Sequence, residues 1–117
     1  IGLHLSVATT GYYGLSLGAS YSTGIPHGLA DNNASQWNDV GLALTGSLVL
    51  LYDLFSPNLA KGTAIFAGWT YNLGQSAYSA YIGETTDTTA RTGFVITPAS
   101  GTVTGGVMRV YGYNNGA

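Results

Sequence analysis

Residues 13–21 read Tyr-Gly-Leu-Ser-Leu-Gly-Ala-Ser-Tyr, and this stretch decides the fold class. Tyr13, Leu15, Leu17, Ala19 and Tyr21 take every second position, with Gly14, Ser16, Gly18 and Ser20 between them. A period of two puts the sets on opposite faces of an extended chain, whereas a helix needs apolar residues three and four apart. The pattern predicts a long half-buried strand.

Working outward, alternation recurs. Leu3, Leu5 and Val7 oppose His4, Ser6 and Ala8. In 40–55, Leu42 and Leu44 precede Gly46, and Leu48, Leu50 and Tyr52 then oppose Val49, Leu51 and Asp53. Pro57 and the flanking glycines limit any helix there, so this segment also reads as strand. Ile65, Ala67, Trp69, Tyr71 and Leu73 share one face of the next segment. Residues 76–83 and 93–97 supply two more strands, and Tyr78 and Tyr81 fall on opposite faces of the first of them. Between these lie segments read as connections. Residues 22–39 carry Pro26, two glycines and the Asp31-Asn32-Asn33 cluster, residues 56–62 form a turn, and 84–92 a polar link.

Several short strands, frequent Gly/Pro/Asn turns and no credible helix predict an all-β, antiparallel β-sandwich or jelly roll. At 117 residues the chain makes a single domain spanning 1–117. The closing stretch, Gly105 to Tyr113, complicates this picture. Met108 and Val110 point one way while Val107, Arg109 and Tyr111 point the other, so the strand is apolar on both faces. Either both faces are covered, or the second meets another copy of the chain.

Composition narrows the function. Charged residues are 7% of the chain, against about 25% in ordinary soluble domains, while Ser and Thr supply about a fifth. The cations are Lys61, Arg91 and Arg109, and the net charge is −2. That is too few for sequence-independent nucleic-acid binding or a polybasic membrane patch. The longest apolar run, Leu48 to Tyr52, is far short of a helical membrane span, and no stable membrane insertion is expected. With no cysteine, the chain has neither disulfides nor a thiolate metal site. Because it opens on Ile1 rather than Met, it reads as a fragment or a processed product.

No residue pattern announces catalysis. His4 sits on the polar side of the first strand and His27 in a Pro-His-Gly turn, and no G-x-S-x-G elbow is present. Each of the five acids lies at a turn or strand end, where solubility accounts for it. Asp31, Asn32, Asn33, Asn38 and Asp39 have oxygen donors for Ca²⁺, yet their spacing is not that of an EF-hand and Asx residues are ordinary turn formers. No metal, no cofactor and no enzymatic activity are therefore expected. The one ligand-binding candidate is Trp37 with Asn38 and Asp39, because an aromatic face stacks on a sugar ring while amides and carboxylates fix its hydroxyls.

Thr45-Gly46 with Leu48 to Tyr52, Thr92 to Thr97, Ser100-Gly101, Gly105-Gly106 and Val110-Tyr111-Gly112 together resemble the C-terminal knob domains of bacteriophage tail fibres, tail spikes and tail needles. The resemblance covers roughly residues 41–113. It implies a jelly roll similar to tumour-necrosis-factor-like folds, standing as a homotrimer at the tip of a longer fibrous virion protein. The expected location is the extracellular virion tail tip. The expected partner is a host cell-surface receptor, a glycan or lipopolysaccharide, met during attachment or envelope penetration. A trimer would explain a last strand that is apolar on both faces. Met108, Arg109 and Tyr111 become candidates for the trimer interface, with Arg109 matched by Asp39, Asp53, Glu84 or Asp87 of the same or a neighbouring chain. Two other readings stay open: a lectin-like protomer binding surface glycans, and an extracellular filament subunit.

Overall fold

A computed structural model of the chain describes residues 1–6, 8–41, 47–72 and 77–112. Among them it is all-β, with seven strands and no helix. In chain order these are β1 (Gly2–Leu5), β2 (Tyr12–Ser20), β3 (Pro26–Ala34), β4 (Ser47–Phe55), β5 (Ala64–Asn72), β6 (Ala77–Thr85) and β7 (Phe94–Thr97). All pairings are antiparallel. β1 and β7 form a two-stranded sheet, and the other five make a second sheet in the order β3-β2-β6-β5-β4.

One face of the large sheet and the small sheet enclose the core. Leu3 and Leu5 of β1 pack with Tyr12, Ile65, Ala67 and Tyr81, and Phe94 and Ile96 of β7 close over them. Trp37 and Val40 complete the cluster from the connection after β3. Leu3 and Trp37 exchange backbone hydrogen bonds of 2.9 and 3.0 Å, so this connection runs along the free side of β1. Burying side chains of this size contributes roughly 1.5–3 kcal/mol each.

Most strand expectations hold. Leu3 and Leu5 are the buried set of β1, and Ile65, Ala67 and Trp69 are the buried set of β5. The segment at 47–55 is a strand. Val7, Leu42, Leu44, the Thr45-Gly46 pair, Leu73 and Tyr113 lie outside the described residues.

Three expectations need correction. Residues 22–39 are not one loop, because Pro26–Ala34 pairs with β2 as an edge strand. A tight turn, with Gly24 at φ 65°, folds the chain back. Pro26 is tolerated as the first residue of an edge strand, where its missing N–H faces no partner. The polarity that suggested a loop is that of an exposed edge.

The long half-buried strand expected at 13–21 holds as β2, and what needs correcting is which of its faces turns inward. A half-buried strand ordinarily turns its apolar set inward, but β2 does the reverse. Ser16 is 0% exposed, while Leu15 is 47% and Leu17 60% exposed. Small residues face inward at 14 and 16 because Tyr81 of β6, opposite Ser16, occupies that side. A Cβ on Gly14 would overlap the Tyr81 hydroxyl, so glycine is required for this close approach.

The third is the closing strand. Residues 98–112 contain no strand, and everything from Ser100 to Gly112 is exposed. Its two apolar faces find no complementary surface within the described part of its own chain.

Candidate functional site: a bare sheet face, a polar cleft and a free tail

The cross-strand register shows what the inverted β2 presents to the outside. Leu15 pairs with Ile82, Ile82 with Phe66 and Phe66 with Asp53. Two residues along, Leu17 pairs with Ala80, Ala80 with Gly68 and Gly68 with Leu51. Directly opposed residues on a sheet share a face. These rows, with Phe55 and Ala64 on one side and Val49 and Tyr78 on the other, form one continuous surface. Leu15, Leu17, Val49, Leu51, Phe55, Phe66, Tyr78 and Ile82 are all exposed, Ile82 at 62%. The Tyr78 ring stacks on that of Tyr21 at 5.8 Å. Scattered exposed leucines are ordinary, but a contiguous apolar face of this kind marks a contact surface. Of the two tyrosines on opposite faces of β6, Tyr81 is core and Tyr78 belongs to this outer surface.

A cleft lies beside β3, its wall mostly apolar with a few polar groups set into it. It has a volume of about 270 Å³ and is lined by Leu29, Ala30, Asp31, Asn38, Asp39 and Tyr81. Asp31 organises it. Its Oδ1 accepts from Asn38 Nδ2 at 2.6 Å, and its Oδ2 accepts from the Asn38 N–H at 2.8 Å and from the Tyr81 hydroxyl at 2.5 Å. Burial, reinforced by the Asp31 carboxylate, pushes the Tyr81 phenol above its ordinary range. Asp39 accepts from Ser16 Oγ. Since Ser16 has no exposed surface, this bond ties the β3–β4 connection to β2 and offers no nucleophile to a substrate. The cleft can present carboxylate and amide oxygens in fixed positions, as hydroxyl-rich ligands require.

The ligand-binding trio expected from the sequence is thus divided. Asn38 and Asp39 line the cleft. Trp37 is 0% exposed, lies edge-on to Tyr12 at 5.0 Å, and donates from Nε1 to the carbonyls of Tyr13 and Glu84, both at 3.2 Å. Its ring has no free face for a sugar, and its role is in the core. Asp31 and Tyr81, which the trio omitted, hold the cleft together. The Asp31-Asn32-Asn33 cluster signalled only a turn, and the partnership with Tyr81 spans fifty positions in sequence. Among the described residues no group of three or more His, Asp or Glu is placed to hold a metal ion.

Met108, Arg109 and Tyr111 all lie on the exposed tail, with Tyr111 at 79%. No contact among the described residues covers them, so the tail and the outer sheet face are two apolar surfaces that the described part of the protomer leaves bare. Comparison of the chain with protein-family models, with curated proteins and with solved structures finds no match.

Proposed function

We propose that the chain is the non-enzymatic tip domain of a phage tail fibre, spike or needle, a homotrimeric, tumour-necrosis-factor-like jelly roll that acts in host attachment or envelope penetration. The observation that carries this reading is the bare apolar face of the five-stranded sheet. A chain with 7% charged residues that leaves Leu17, Leu51, Phe66 and Ile82 in water would self-associate or aggregate as a protomer. Packing that face around a three-fold axis removes it from water in a closed assembly. The exposed tail supports the same reading, as does the sequence resemblance. The receptor, a glycan or lipopolysaccharide, would meet the cleft, whose oxygens stay accessible when the outer sheet face is covered.

The cleft also favours a second reading, a lectin-like domain that binds glycans as a single protomer. Adsorption of the fluorescently labelled chain to intact cells of a panel of bacterial strains separates the two. The comparison is with the double variant Leu17→Asp, Ile82→Asp, which places charge on the outer face and leaves the cleft alone. A trimer presents three receptor sites at once, so the wild type should adsorb saturably and the variant roughly tenfold or more weakly. Equal adsorption by a monomeric variant would move the function to the protomer. Absence of saturable adsorption on every strain would contradict attachment.

A further inference from the structure

We infer that the C-terminal tail of one copy completes the five-stranded sheet of a neighbouring copy, residues 106–111 adding as a strand along the free edge of β4. The inference rests on the proposed homotrimeric reading and specifies how its copies interlock. The sheet has two edges, β3 and β4. β3 is blunted by Pro26 at its start, by Asp31 and two asparagines, and by the positive φ of Asn33, which interrupts regular pairing. Such features protect an edge from further pairing. β4 has no proline, no asparagine and no positive φ within it, and its one charged residue is Asp53. It is nine residues long, reads Ser-Leu-Val-Leu-Leu-Tyr-Asp-Leu-Phe, and has no proline, glycine or lysine. Among the described residues no strand lies beside its outer edge. A long, apolar, unprotected edge is a template for an incoming strand.

The tail has the complementary character. Val107, Met108, Val110 and Tyr111 are 66–79% exposed, and the segment alternates apolar residues on both faces. A strand with that pattern suits a position covered on both sides. Laid beside β4, one set continues the outer apolar surface and the other extends the side that carries Leu50 and Tyr52. The Tyr52 hydroxyl is buried on that side with no hydrogen-bond partner among the described residues. Charge also matches. The tail's single charged residue is Arg109 and β4's is Asp53. The eight residues from 98 to 105 span roughly 27 Å when extended, which sets how far the strand can lie from its own β7.

The absence of cysteine allows a clean test. Two differently tagged forms of the 117-residue chain are co-expressed. One carries Met108→Cys, Arg109→Cys or Val110→Cys, and the other Val49→Cys, Leu51→Cys or Asp53→Cys. Neighbouring strands lie within disulfide reach, so the nine pairs test the registers that set residues 108–110 beside 49–53. Mild oxidation should link differently tagged chains in at least one pair, with a yield at least tenfold above that of a Val110→Cys, Thr23→Cys control. Mass is measured in parallel. A trimer whose nine pairs give no such link, or in which a doubly substituted chain links only to itself, overturns the strand exchange while leaving the assembly standing. A monomer overturns both. Hydrogen exchange on the unsubstituted chain guards against misfolded variants. The β4 amides that point away from β5 should exchange at least tenfold more slowly than open-edge amides. Fast exchange at those amides in a trimer overturns the inference.

Discussion

Trp37 and Gly14 lie on either side of the same packing problem. Trp37 fills the space between the small sheet and the start of β2, satisfying its N–H on two carbonyls while its ring meets Tyr12 edge-on. Trp37→Ala should cost about 3–5 kcal/mol, because a large buried ring leaves a cavity that surrounding strands cannot close. Urea or guanidinium titration followed by circular dichroism reads this as a lower midpoint, and an unchanged midpoint would show that the ring is not core. Gly14 makes room for the Tyr81 hydroxyl on its way to Asp31. Gly14→Ala should destabilise by about 1–3 kcal/mol through overpacking. In the double variant Gly14→Ala, Tyr81→Phe part of that loss should be recovered, since the clashing oxygen is gone. The residue scale was the least legible in sequence. A loop tryptophan beside Asn and Asp has the composition of a sugar site, and only its hydrogen bonds to backbone far along the chain reveal it as core.

At the scale of elements, alternation identified β1, β2, β4 and β5, because a period of two is dictated by strand geometry whatever the strand packs against, while β6 and β7 read as short apolar runs between polar turns. The same period could not say which face of β2 turns inward. That was decided by Tyr81, brought opposite by the pairing of Ser16 with Tyr81 across β2 and β6. β3 was hidden because an edge strand avoids the apolar alternation by which strands are recognised. The connection from β6 to β7 has its own anchor. Arg91 pairs with Asp87 and donates from Nη1 to the carbonyl of Ser6 at 3.0 Å, while its backbone N–H donates to Pro57 at 2.7 Å. The guanidinium, with help from Thr89, holds the Asp87 carboxyl down to about 2. A carboxyl depressed in the folded state stabilises above its unfolded value near 3.8, and that contribution is lost as pH falls toward 2. Asp87→Asn should therefore lower stability at pH 7 and flatten its decline between about pH 4 and pH 2, because a contribution the variant lacks cannot be lost on acidification. Denaturant midpoints across that range check it, and an equally steep decline in the variant would place the acid sensitivity elsewhere.

For the whole molecule, the two-layer all-β architecture follows from strand number and turn chemistry, and both are written locally in the sequence. What lies between copies is not written locally. The tail's apolar pattern at 107–111 poses the question in sequence, and the structure sharpens it by leaving both the tail and the outer face of the large sheet exposed. Nothing among the described residues covers them, and the small sheet of β1 and β7 already occupies the opposite face. The proposed assembly supplies the missing cover with copies of the same chain, in the way obligate oligomer interfaces resemble a domain core cut in half.

The most direct test is the molar mass of the 117-residue chain, measured by light scattering behind a sizing column over a hundredfold range of concentration. A closed trimer gives three times the protomer mass of 12.1 kDa at every concentration. A constant monomer mass would contradict it, leaving the outer face as free protomer surface and the cleft as the remaining candidate for function. A mass that grows without limit would contradict the closed assembly and favour an open filament.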